Sequence, residues 1–558
     1  MDLVAALCQF PAEINNVIFS YMDLKQLGEC LLVCRQWRDN IPNWIQAHDR
    51  SLCLSMKQFN KAQSTLQHLG RVVQGIHLHC GRDEVNLQQV IDNLIALDLP
   101  HVDTLELFSI PIGGSSVVEV CEAWCQLGTK LRRLRLTHRD AAKAPIDVSP
   151  LLDCCPYLTH LTVDYPRSRV PYYLKFFGQG RHLQLQYLKL EAYIEMQDLL
   201  SLVRRCPELR YLRIDWDHSM DMKQILDACP SLKGVSVDTR IHHVKDPWWK
   251  DRHHVPMTTT SSLQELDLHV KYEDLYLQTA TMLTQHCEHL KRLRLDIGVI
   301  IWEGRIKQQD LTTLEYDPLP ALEEFEYHSG YPLVPAKAAF VTPLLKKCPN
   351  LKYIRFDTSR AGPIYRALVG FHLPYLRCLR VSDTDHEMDG LEDLLFSIAH
   401  TNTPLERFEF GGDVFRSHLI YQALAQISSL RHIELNDYGT RRPRDKKVMT
   451  QCLSRLRGDG VTSTPATRNL ESIDFFHVEG FMTVEAFGSL RKIFPLKRVA
   501  FHRCGSISER GLRLLVDREP PLEYLEVHLS SRTMDGESLE PLLAYARTKI
   551  PIVKSPGP

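Results

Sequence analysis

CPELRYLRI, Cys206 to Ile214, decides how this chain folds. Its apolar residues Leu209, Leu212 and Ile214 follow the order apolar, two variable, apolar, one variable, apolar. The second half alternates, as a strand with one buried face does, so Tyr211 and Arg213 turn away from the core. Just before it, DLLSLVRRCP (198–207) spaces its apolar residues as a helix does. One short strand and one helix cannot bury their own apolar faces. Copies stacked side by side can.

Such copies are present. LRRLRL (131–136), LTHLTV (158–163), LRYLRI (209–214), LQELDL (263–268), LKRLRL (290–295), LKYIRF (351–356) and LEYLEV (522–527) are clear. Looser ones begin at Val73, Val102, Leu185, Leu232, Leu322, Leu376, Leu405, Leu430, Leu470 and Leu496. The mean spacing from Val73 to Leu522 is about 28 residues, within the leucine-rich-repeat range. Helical patterns recur between strands at 222–230, 340–349 and 391–400. The expectation is an α/β solenoid of about 17 divergent repeats over residues 71–547, with a parallel sheet on the concave side and helices on the convex side. Residues 49–70 read as a connecting helical segment and 548–558 as a tail.

The N-terminal stretch FPAEINNVIFSYMDLKQLGECLLVCRQWRDNI (10–41) has another character. Ile14, Val17, Ile18 and Tyr21 make one helical face, and Pro11 suits a first helical turn. Asp23 and Gln26 have capping-box spacing ahead of a second stripe, Leu24, Leu27 and Leu31. Val33, Cys34, Trp37 and Ile41 give a third short helix, discouraged from continuing by Pro42. Three helices in about forty residues leave apolar surface that wants a partner.

Phe10-Pro11-Ala12-Glu13, Ile18-Phe19-Ser20-Tyr21-Met22 and Val33-Cys34-Arg35-Gln36-Trp37-Arg38 closely resemble the three blocks of an F-box, with Phe10 and Met22 where the family has Leu. The Cys-Pro-x-Leu-x-x-Leu form of the repeats resembles those that accompany F-boxes. The resemblance, placed at 8–48, implies a receptor subunit of an SCF (Skp–cullin–F-box) ubiquitin ligase. It would contact a Skp-type adaptor, and through it cullin, by Phe10, Pro11, Ile14, Ile18, Leu31, Val33, Cys34 and Trp37. The arc would then hold a protein client. The alternative is a leucine-rich-repeat scaffold that recruits no ligase.

Composition sets bounds. At 558 residues the chain exceeds one compact core. Its 44% apolar and 24% charged residues are those of a folded, soluble protein. A net charge of −1 offers no field for nucleic acid or anionic membrane, and neither is expected as a partner. Neither a signal peptide nor a membrane span is read. The sixteen Cys contain no C-x-x-C pair and suit buried thiols in a reducing compartment better than a disulfide framework. A cytoplasmic or nuclear location is expected.

No catalytic residue, cofactor or metal is expected. P-loop, H-E-x-x-H and G-x-S-x-G patterns are missing. DTDHEMDGLEDL (383–394) imitates a calcium loop, but Phe396 stands where the bidentate Glu belongs. His242, His243, His253 and His254 are paired neighbours without a Cys, poor tetrahedral ligands. In HLHC (77–80), His77 and His79 face outward and Leu78 inward. Client-binding candidates are the aromatic–arginine groupings Tyr187, Tyr211 and Arg213, and Tyr353 and Arg355. Trp248 and Trp249, on a loop that interrupts one repeat, join them.

Overall fold

A computed structural model describes residues 51–69, 73–80, 87–97, 99, 101–110, 121–138, 146–164, 173–176, 181–191, 193–215, 222–238, 262–270, 287–297, 318–329, 335–358, 361–382, 390–415, 417–437, 446–457, 469–478, 482–493, 495–505, 507–529 and 540–554. The expected F-box residues, Trp248 and Trp249, the paired histidines of 242–254 and most of the calcium-like loop lie outside these. The chain divides into two units, Met1–Ser262 and Leu263–Pro558.

In the first unit the strands Ser51–Ser55, Gly75–His79, Thr104–Ile110, Arg133–His138, His160–Asp164, Tyr187–Glu191, Tyr211–Asp215 and Gly234–Asp238 pair in that order, all parallel. In the second, the ladder runs Glu265–Val270, Arg292–Ile297, Glu324–Ser329, Tyr353–Thr358, Cys378–Ser382, Arg407–Gly412, His432–Asp437, Ser472–Phe476, Arg498–Cys504, Tyr524–Leu529 and Ile552–Lys554, again parallel. Each of the apolar triplets read from the sequence carries a ladder strand. Parallel neighbours need a crossover, which helices such as Met196–Arg204 and Leu391–His400 supply.

The opening motif explains its own geometry. Cys206 is fully buried, and its thiol donates back to the Leu202 carbonyl at 3.2 Å. Cys348 does the same to Leu344 at 3.1 Å. Pro207, with no N–H to offer, follows where the helix has already ended. The chain then enters the strand through two successive N–H groups that share one carbonyl of the preceding repeat. Arg210 and Tyr211 both donate to Gln186, at 2.9 and 3.0 Å, and Lys233 and Gly234 both donate to Arg210, at 2.7 and 2.9 Å. The second unit repeats this, with Glu323 and Glu324 on Lys291, and Lys352 and Tyr353 on Glu323. Side chains add a second tie. Ser231 donates to the Pro207 carbonyl at 2.8 Å, Ser262 to that of Pro230 at 2.7 Å, and Asn350 to that of Pro320 at 2.7 Å.

Inward positions form continuous apolar rows. Leu188, Leu190, Leu212, Ile214, Val235 and Val237 are all buried. In the second unit Phe325, Phe356 and Tyr365 pack edge to face, with centroids 6.4 and 5.8 Å apart. Gly234 is required by a neighbour: a Cβ there would come within 2.5 Å of the Tyr211 ring.

Four features differ from the sequence-based expectation. Residues 49–70 are not wholly helical. Ser51–Ser55 pairs with Gly75–His79 before the helix Met56–Leu69, because Leu52 turns into the core as the first row of the ladder. Within 548–558, Ile552–Lys554 adds a last strand against Tyr524–Glu526. A second, three-stranded parallel sheet forms from Ile146–Asp147, Tyr173–Lys175 and Tyr193–Ile194. Cys125 and Cys154 form a disulfide, since the helices Cys121–Gly128 and Ser149–Cys154 of successive repeats lie side by side. Cys80, Cys155, Cys206, Cys229, Cys348, Cys452 and Cys504 are buried outside any disulfide. Among the described residues no helix is long and apolar enough to cross a membrane.

Phe356→Ala, which empties a site between Phe325 and Tyr365, should cost about 3–5 kcal/mol in urea unfolding of the full chain. Tyr375→Ala, at a ring 54% exposed, should stay within roughly 0.5 kcal/mol.

Candidate functional site: the open face of the strand ladders

On each strand the first, third and fifth residues point away from the helices, and the parallel register lines them up in rows about 4.8 Å apart. The apolar triplet brackets the first and third positions, as Leu209, Leu212 and Ile214 bracket Tyr211 and Arg213. The fifth lies one step beyond the apolar triplet, and it supplies the partners that define the site.

In the first unit the third-position row includes Arg135, Thr162, Lys189, Arg213 and Ser236 in register. Beside it the fifth positions Asp164, Glu191, Asp215 and Asp238 are all acidic. Asp164, buried by its neighbours, receives Arg135 at 2.7 Å and Lys189 at 2.8 Å. Lys189 also reaches Glu191 at 3.0 Å, and Arg213 approaches Glu191 at 3.6 Å. Tyr187 and Tyr211 are direct register partners on the same face, with Arg213 two residues beyond Tyr211. Tyr211 is 39% exposed, lying over Gly234. Those three candidates therefore share one patch. At the other end His77 pairs with Glu106 at 2.9 Å, and His79 stacks on Phe108, both rings outward.

Tyr353 and Arg355 occupy the first and third positions of one strand in the second unit. Arg355 lies 3.1 Å from Asp357 and 3.9 Å from Glu326. His328 is set between the same two acids, its Nε2 at 3.2 Å from Glu326 and its Nδ1 at 3.3 Å from Asp357. Hydrogen bonding to His328 is the main reason Asp357 falls to about 2 and Glu326 below its ordinary range. For His328 burial pulls the ring's pKa down, but the bonds to Asp357 and Glu326 outweigh it and the net shift is upward. Further along, Glu409 is nearly buried and meets Arg380 at 3.0 Å and Arg407 at 2.5 Å, while Arg407 also reaches Glu434 at 3.2 Å. Burial, then the neighbouring Glu409, raises Glu434. Arg498 binds Asp474 at 3.2 Å and lies over the Tyr524 ring at 4.2 Å.

Fixed opposite charges on a half-buried sheet favour a partner of complementary charge pattern and penalise one that leaves an ion unpaired. Among the described residues, His502, Glu526 and His528 are the ones whose ligand atoms converge closely enough to hold a metal ion.

The upward shift of His328 fixes a sign. Its contribution to stability is complete below about pH 6.5 and is lost as pH rises through its folded pKa. Asp357, held at about 2, contributes above its ordinary carboxylate range and loses that as pH falls toward 2. The urea midpoint of the full chain should therefore exceed that of His328→Gln most at pH 6, with the gap closing toward pH 8.

Residues 7–45 match the F-box-like family model. No curated protein matches the chain significantly. Among solved structures it is similar to the Rad7–Elc1 complex of yeast, at 12% identity and a TM-score of 0.31, covering 95% of this chain and 98% of that one. It is also similar to a leucine-rich-repeat protein of Leptospira interrogans, at 13% identity and a TM-score of 0.30, covering 80% and 100%. Both superpositions are loose. The chain thus joins an F-box-like domain at its N-terminus to ladders of leucine-rich-repeat type.

Proposed function

We propose that this protein is a substrate receptor of an SCF-type ubiquitin ligase. The F-box-like segment docks a Skp-type adaptor and through it cullin, by way of Phe10, Pro11, Ile14, Ile18, Leu31, Val33, Cys34 and Trp37. The open face of the ladders binds a protein client. The observation that carries this reading is the F-box-like match at residues 7–45, ahead of some five hundred residues of a different architecture.

The receptor itself performs no bond chemistry in this reading. It raises the effective concentration of a client lysine near the loaded conjugating enzyme. A packed ladder suits that task, since a stiff arm holds a distance that a flexible linker would spread. Tyr187, Tyr211 and Arg213 on the first unit, and Tyr353 and Arg355 on the second, are the proposed client anchors. Tyr and Arg dominate binding hot spots. Trp248 and Trp249 extend the same proposal. A location in cytoplasm or nucleus, where the ubiquitin machinery works, goes with it.

The test is affinity capture with the full chain. Wild type should retain adaptor and cullin, and Trp37→Ala should weaken that binding by about 3–5 kcal/mol, the usual cost of truncating a Trp that packs at a covered position. Arg213→Glu and Arg355→Glu should keep the adaptor and lose client proteins. Folded wild-type protein that retains no adaptor would favour the ligase-free scaffold instead.

A further inference from the structure

We propose that His502, Glu526 and His528 form a binding site for a divalent transition-metal ion of the zinc class on the open face of the second unit. The proposal departs from the expectation, drawn from sequence, that the chain holds no metal. It stands independently of the ligase reading.

Two adjacent strands build the site. His502 and His528 are register partners on Arg498–Cys504 and Tyr524–Leu529, so their side chains leave the sheet next to each other. Glu526 lies two residues before His528 and therefore on the same face. One ligand atom from each residue lies within 4.8 Å of the other two. Four-coordinate zinc at about 2.1 Å from each ligand needs ligand atoms about 3.4 Å apart. Rotation of the Glu526 and His528 side chains toward His502, itself held on Phe476, would close that difference. His528 Nε2 already lies 3.0 Å from Glu526 Oε1. A metal bound between them would take His502 as its third donor.

The surroundings hold these groups in place. The Tyr524 hydroxyl donates to Glu526 Oε2 at 2.5 Å, which orients the carboxylate and leaves Oε1 directed at His528. His502 stacks on Phe476, with centroids 4.3 Å apart and planes 17° from parallel. The two histidine rings are 5.6 Å apart. An ion pair would need His528 and Glu526 alone. The third donor, fixed by stacking in the same place, is what a metal requires. Outer contacts of this kind set ligand orientation at metal sites.

Cations nearby oppose binding and must be weighed. Arg498 lies 3.9 Å from Glu526, but its nearer partner is Asp474 at 3.2 Å. Lys554, opposite Glu526 in register, places its ammonium over the Tyr524 ring at 5.6 Å. On the other side, Ala500 opposite Glu526 brings no charge. Both cations thus have other contacts and can leave Glu526 to the metal. Two imidazoles and one carboxylate suit zinc, cobalt(II) or nickel(II), whereas calcium and magnesium prefer oxygen throughout. Three protein ligands leave one coordination position open on the exposed side.

The test uses the full chain, stripped of metal with a chelator and dialysed against zinc; cobalt(II) absorption reports the geometry. Wild type and His418→Gln, a change at an exposed helical histidine, should each bind one more equivalent of zinc than His502→Gln/His528→Gln. Tyr524→Phe should keep the equivalent and weaken it about tenfold. Glu526→Gln serves as the second variant if the double histidine change alters the circular dichroism spectrum, and it should weaken binding at least as much. Equal zinc stoichiometry and affinity in wild type and in the folded variants would overturn the proposal. So would wild-type protein that takes up no saturable zinc.

Discussion

No repeat of this chain can bury its own strand, and everything else in the structure follows from that constraint. A five- or six-residue strand presents two or three apolar residues to a helix that is itself only two or three turns long. Burial becomes complete when the next repeat supplies the same residues in the same register. The register is kept by a device that recurs through the interior of both ladders: one carbonyl just before a strand accepts two N–H groups from the following repeat. A one-residue slip would turn Leu212 and Ile214 outward and Arg213 inward, so pattern and hydrogen bonding enforce the same alignment.

The same repetition governs the electrostatics. Any residue type that recurs at one strand position becomes a row of like groups about 4.8 Å apart, and a row of one sign repels itself. In the first unit the third-position Arg135, Lys189 and Arg213 lie beside the acidic fifth positions Asp164, Glu191, Asp215 and Asp238, and Lys189 joins Asp164 of the neighbouring strand and Glu191 of its own. The second unit mixes signs within a row, so that Glu326 lies between Arg294 and Arg355, and Glu409 receives Arg380 and Arg407. Acids as covered as Asp164 and Glu409 persist because cations meet them; removing one partner would leave a charge in a place water reaches poorly.

Helix ends are treated economically. Thr483 and Ser508 cap the helices Val484–Arg491 and Glu509–Val516 through their hydroxyls, accepting from Ala486 and Gly511. Cys206 and Cys348, buried ahead of proline, return their thiols to carbonyls of their own helix, whereas the Cys229 thiol turns to the Leu209 carbonyl of the preceding repeat. Desolvation raises those of Cys155, Cys206, Cys452 and Cys504 to about 12, which keeps them protonated and unreactive. Scaffold cysteines of this kind are small apolar residues with one useful hydrogen, and their number has no bearing on catalysis.

The apolar-x-x-apolar-x-apolar pattern by itself determined the ladder, since strand alternation and a period near 28 residues have few other solutions. Outward placement of Tyr211, Arg213, Tyr353 and Arg355 was legible for the same reason: parity along a strand is a local property. Which groups meet across strands was not. The pairing of His328 with Asp357, and the convergence of His502 on Glu526 and His528, depend on register between residues about 25 to 30 positions apart. No local rule supplies that offset, because loop lengths differ from repeat to repeat. The strands Ser51–Ser55 and Ile552–Lys554 were hidden too, as end repeats lack the full apolar triplet and are recognised by the neighbour they pair with. Tertiary stacking therefore decided the ends of the ladders and the chemistry of their open face.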